Sequence, residues 1–83
     1  METVFVESAF RHGYDEEDFY EVLENRPLKL QSRRGLPGVY ELYGCTHAGD
    51  YVHIVYRRER DGHIVFHMRR MSEREQRFYR KNL

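Results

Sequence analysis

Between residues 28 and 69 polar and apolar side chains alternate with a period of two, broken only by short turn-forming stretches. Successive side chains of a strand point to opposite faces, so this pattern commits about half of the 83 residues to a half-buried sheet. Strands are expected over 28–33, 39–46, 51–58 and 63–69, separated by "RRGLPG", "HAGD" and the Asp61-Gly62 hairpin signal. Connections this short favour antiparallel neighbours, which predicts a small antiparallel four-stranded sheet.

The flanking segments have a helical period. "ESAFRHGYDEEDFYEVLENRP" reads as a short helix, a glycine stop and a second helix. Asp15 is suited to the N-cap, Glu16, Glu17 and Asp18 to the positive end of the dipole, and Pro27 to the stop. Phe19, Val22 and Leu23 form its apolar stripe. Downstream, Ser72-x-x-Glu75 is a capping box that opens a C-terminal helix. The order α-α-β-β-β-β-α predicts one α+β domain over residues 1–83, with two N-terminal helices and one C-terminal helix gathered on one face of the sheet. Val22, Leu23, Ile54, Phe66 and Phe78 are expected among its most buried residues.

No stretch approaches the roughly 20 apolar residues that cross a bilayer, and the N-terminus lacks the pattern of a signal peptide. A single cysteine, Cys45, excludes an internal disulfide and fits a reducing, cytoplasmic setting. No Cys/His spacing suggests a metal site, and no phosphate-loop or dinucleotide glycine pattern points to a cofactor, so none is expected. A DNA-binding regulator is disfavoured by the lack of a helix-turn-helix or a basic arm.

A formal net charge of zero conceals a division of charge. Residues 1–27 carry a balance of −6 and residues 28–83 a balance of +6. An anion is drawn to the second segment, although the two could also neutralise each other across the fold. Parity refines the picture. Val52, Ile54 and Tyr56, with Ile64, Phe66 and Met68, form one set, expected in the core. Tyr51, His53, Val55 and Arg57, with Val65, His67 and Arg69, form the other, which gathers two histidines and two arginines on the opposite face. On the last helix Phe78 and Tyr79 flank Glu75, turning its carboxylate inward, where Arg69 is the natural partner.

The segment "YVHIVYRRERDGHIVFHMRRMSEREQRFYR" resembles the C-terminal half of BrnT-type toxins of bacterial toxin–antitoxin operons, through Arg69, Met71, Ser72, Glu75 and Tyr79. "RHGYDEEDFYEVLENRP" is similar to that family's His-Gly turn and acidic-start helix, at His12, Gly13, Glu17, Val22, Leu23 and Pro27, and "YGCT" is similar to its Gly-x-Thr strand. Met68 and Arg70 depart from the pattern, which usually has a small residue and a proline there. The resemblance implies a RelE-like fold and metal-independent cleavage of RNA, restrained in the cell by an antitoxin protein that covers the basic face. In that reading Arg69, Glu75, His67 and Tyr79 are the catalytic group, with Arg69 and Arg57 as phosphate clamps, Glu75 positioning or acting as base, His67 exchanging protons and Tyr79 supporting the site or stacking on a base. Arg57, His53, Arg77 and Arg80 would bind the RNA. The alternative is a non-catalytic module that uses the same face to bind RNA, a ribosome or a protein.

Overall fold

The computed structural model describes residues 2–32 and 35–83. Its elements are β1 (Glu2–Phe5), a single 3-10 turn (Glu7–Phe10), α1 (Glu16–Glu24), β2 (Leu28–Gln31), β3 (Val39–Cys45), β4 (Tyr51–Glu59), β5 (Gly62–Arg70) and α2 (Glu73–Lys81). The expected end of the first strand at Arg33, and Arg34 in the turn after it, lie outside the described residues.

The domain is α+β, but the expected RelE-like arrangement of a four-stranded antiparallel sheet with three helices is not what forms. The sheet has five strands in the order β1-β5-β4-β3-β2, and β1 runs parallel to β5. Of the two N-terminal helices, the first is only the 3-10 turn. A four-residue strand whose partner lies some sixty residues away gives no local pairing signal, which is why β1 is invisible to periodicity. Its hold is tertiary. The Glu2 amide donates to the Asp61 carbonyl at 2.9 Å and the Val6 amide to Val65 at 3.0 Å. Just beyond the strand, the Ser8 hydroxyl donates to Phe66 at 3.0 Å. Gly62 makes the approach feasible, because a Cβ there would overlap the Glu2 carbonyl. Gly62→Ala is therefore expected to detach β1 and destabilise the domain by at least the 1–3 kcal/mol typical of about one overpacked methyl group. Hydrogen exchange at the β1 amides, slow in the wild type and fast in the variant, checks this.

The helices start as their caps dictate. Asp15 accepts from the Asp18 amide while the Asp18 carboxylate accepts from the Asp15 amide, and Ser72 and Glu75 close the same reciprocal pair at α2. Phe19 and Val22 of α1 and Ala9 of the 3-10 turn pack against Leu42, Val52, Ile54, Tyr56, Val65 and Met68. Burying Phe19 and Val22 contributes about 1.5–3 kcal/mol each. Leu23 does not join them: it is 40% exposed, because the stripe that meets the sheet is only wide enough for Phe19 and Val22.

The helices are not gathered on one face. Phe78 and Tyr79 of α2 meet Tyr43, Cys45 and Tyr51, which have the opposite parity to Leu42 and Val52. Thus α1 covers one face and α2 only one end of the other, where Phe78 is half-buried.

A β-bulge overturns part of the parity reading. Val55 pairs with His67, but its neighbour Tyr56 pairs with Val65, so Phe66 is an extra residue in β5. Beyond it the strand's faces exchange. Val65, assigned to the open face, is fully buried, while Ile64 and Phe66, assigned to the core, are only half-buried. Ile54 and Val22 lie in the core as expected.

Candidate active site

The part of the sheet that α2 leaves open gathers ionisable side chains from three strands. His67 and Arg69 on β5 face Val55 and His53 on β4, which in turn face Glu41 and Tyr43 on β3. Arg69 sits at the point where β5 gives way to the capping turn of α2. It grips Glu75 with both ends of the guanidinium, Nη1 to Oε1 and Nη2 to Oε2, each at 2.6 Å. Nη1 also donates to the Arg70 carbonyl at 3.0 Å, and the Ser72 amide donates to Glu75 Oε1 at 2.8 Å. One carboxylate thus caps the helix and orients the arginine. The hydrogen bonds from Arg69, assisted by the Ser72 amide, hold the Glu75 carboxyl down at about 2, so it is a fixed anion and a weak base. Three of the five N–H donors of Arg69 are taken by described residues, which leaves two for a ligand.

A cleft of about 650 Å³ opens beside this pair, lined by Tyr43, Arg69, Ser72, Arg74, Glu75 and Phe78. Its charge, hydroxyl and aromatic edge suit a phosphate with an attached planar group.

Three imidazoles run away from Arg69. His53 is only 5% exposed, and its Nε2 lies 2.8 Å from Glu41 Oε1, which also accepts from the Tyr43 hydroxyl at 3.3 Å. His67 packs edge to face on His53 at 6.2 Å between ring centroids and on His12 at 5.3 Å. His12 comes from the turn after the 3-10 helix, so the β1 segment delivers a second imidazole beside the one on β5. Burial first, and then the nearby cations Arg69 and Arg11 and the other two histidines, lower the pKa of His67. Burial, helped by Arg69, also lowers that of His53 despite its bond to Glu41.

These shifts make stability depend on pH. A histidine whose folded value is depressed stays neutral in the fold while the unfolded chain takes up a proton, so its contribution is complete above the ordinary value of about 6.5 and is lost as the pH falls through the folded value. His53, His67 and His63 are all shifted this way. The melting temperature is expected to decline steadily from pH 7 to pH 5. A flat profile over that range would contradict the assignment.

The other residues marked in the sequence are dispersed. Arg57 lies four residues along β4 from His53, about 13 Å at strand spacing, bonded to Glu59 at 2.7 Å and stacked over Phe66. Tyr79 is buried beneath α2 against Tyr51, with the Cys45 thiol 4.0 Å from its hydroxyl. Arg80 lies over the Tyr51 ring, and Arg77 is exposed on α2; neither lines the cleft. Sequence reasoning missed Glu41, Tyr43, Arg74 and His12. Extending the parity argument to β3 would have found the first two. His12 carries no periodic signal, since β1 and the bulge bring it to the face. Among the described residues no three His, Cys, Asp or Glu side chains gather as a metal site. No helix there is long and apolar enough to cross a membrane. No protein-family model, curated protein or solved structure matches the chain.

Proposed function

We propose that this chain is the toxin of a bacterial toxin–antitoxin pair and cleaves RNA without a metal ion. The observation that carries the reading is the Arg69–Glu75 pair standing beside the edge-to-face imidazoles of His67 and His12 on an open sheet face. The resemblance to BrnT-type toxins at Arg69, Met71, Ser72 and Glu75 supports it from the sequence.

Cleavage beside a ribose 2′-hydroxyl needs a base, an acid and a cation at the phosphorane. The neutral His67 takes the 2′-hydroxyl proton as that oxygen attacks phosphorus. Arg69, held flat by Glu75, neutralises the charge gathering on the phosphoryl oxygens. His12 gives a proton to the departing 5′-oxygen, leaving a 2′,3′-cyclic phosphate and a 5′-hydroxyl. Glu75 acts here as the group that positions Arg69. Tyr79 serves the packing of α2, and His53 with Glu41 supports His67 from below.

A second reading, a binding module without catalysis, draws on the fact that Arg69 is already engaged by Glu75. Growth separates the two. Expression of the wild-type chain in bacteria is expected to arrest growth, and His67→Gln to abolish the arrest while leaving the protein folded. An acidic partner protein covering Arg69 and His67 is expected to relieve it. Wild-type expression without any growth defect would remove the toxin reading.

A further inference from the structure

Beside the arginine cleft lies a second cavity of different character, about 500 Å³ in volume. Its walls include Leu36, Val39 and Val55, and His53, Glu41 and His67 also line it. We infer that this cavity is a nucleobase subsite, which takes the unpaired base of single-stranded RNA next to the bond that is cut. The inference deepens the cleavage reading and rests on it for the word RNA, though not for the binding of a nucleotide.

Three observations converge. The volume falls within the range of about 300–1,000 Å³ typical of small-ligand sites. Aliphatic side chains and an imidazole offer flat apolar contact to a planar ring, and Glu41 and His53 stand within a mostly apolar lining, where polar groups fix orientation. Leu36 is 53% exposed and sets an apolar side chain at the edge of the cavity.

Position supplies the rest. His67 lines the cavity and neighbours Arg69 of the phosphate cleft, two residues along β5. A nucleotide with its base against Val55 and its phosphate at Arg69 therefore lays its ribose across His67, the group that needs to reach the 2′-hydroxyl. A base stacked inside a duplex cannot enter such a cavity, so the substrate is a single strand.

The test uses the four nucleoside 3′-monophosphates, with inorganic phosphate and ribose 5-phosphate as base-free controls, titrated against the full chain and read by methyl and amide NMR shifts. At least one nucleotide is expected to bind tenfold or more tightly than either control, shifting the methyl signals of Leu36, Val39 and Val55. Leu36→Ala, at an exposed position, should weaken that binding several-fold, and Val55→Trp should reduce it to the level of phosphate. Should Val55→Trp fail to fold, the wild-type methyl shifts and Leu36→Ala still decide. Nucleotides that bind no better than phosphate, or that leave these methyl signals unmoved, would overturn the inference. Nucleotide binding with no RNA cleavage would remove the enzymatic reading and leave the subsite; cleavage without nucleotide binding in the cavity would do the reverse.

Discussion

Arg69→Ala is expected to lower RNA cleavage by roughly 10²–10³, the usual cost of removing one preorganised group that stabilises transition-state charge. The same change removes the partner of Glu75, so a second loss must be separated from the first. The two side chains are 33% and 21% exposed, which places the pair between a surface bridge and a buried one. Glu75 would keep its bond from the Ser72 amide but lose both guanidinium contacts. A stability cost of about 1–3 kcal/mol follows, the range for leaving a buried hydrogen-bonding group without its partner; a fully buried charge would cost more, but this carboxylate keeps some contact with water. That is survivable against a total of about 5–15 kcal/mol. The double variant Arg69→Met with Glu75→Gln removes both charges, and glutamine can still complete the capping box. It should regain most of the lost stability and none of the activity. Melting and cleavage measured on the same samples distinguish the two roles. Recovery of cleavage in the double variant would show that Arg69 only offsets the charge of Glu75.

His67→Gln is expected to cost about 10²–10⁴ in rate, the typical contribution of general acid–base catalysis. Little stability should go with it, because the ring is half-buried and makes no hydrogen bond to a described residue. The pH profile carries the sign. Burial and the cations Arg69 and Arg11 keep His67 neutral to lower pH than an ordinary histidine. The base form is therefore present from below about 6.5 upward, and the acid limb of wild-type cleavage should fall below that value. His67→Gln should erase this limb, while Leu83→Ala, at an exposed position outside both cavities, should leave its position unchanged. An acid limb that persists in His67→Gln would assign the base to another group.

How much of this was legible in the sequence depends on the range of the interaction involved. The caps at Asp15 and Ser72 and the alternation of β3 and β4 are local and appear where the residues call for them. The hairpin forms one residue earlier than the Asp61-Gly62 signal, turning at Arg60-Asp61 with Gly62 already in β5 and paired to Glu59. The Arg69–Glu75 pair was readable because only six residues separate its members and the helical period turns one toward the other. What escaped is non-local. β1 pairs with a strand sixty residues away through main-chain bonds that no side-chain pattern announces, and the extra residue at Phe66 exchanges the two faces of β5 without any glycine or proline to mark it. These two features also explain the missing half of the site. The β1 segment brings His12 to His67, and the bulge keeps His67 and Arg69 on the open face while Val65 enters the core. Tyr79, Arg77 and Arg80 were drawn in by motif and charge, but α2 points them elsewhere: Tyr79 into the packing, and the two arginines away from the cleft.

In the proposed reaction two imidazoles and one arginine on this sheet face perform the transesterification of RNA. The most direct measurement is the chemistry of the ends that purified wild-type protein produces from a short single-stranded RNA in EDTA. Fragments ending in a 2′,3′-cyclic phosphate and partners beginning with a 5′-hydroxyl are expected, formed at a rate that His12→Gln and His67→Gln each depress. RNA that binds but stays intact, or fragments that carry 5′-phosphates, would contradict it.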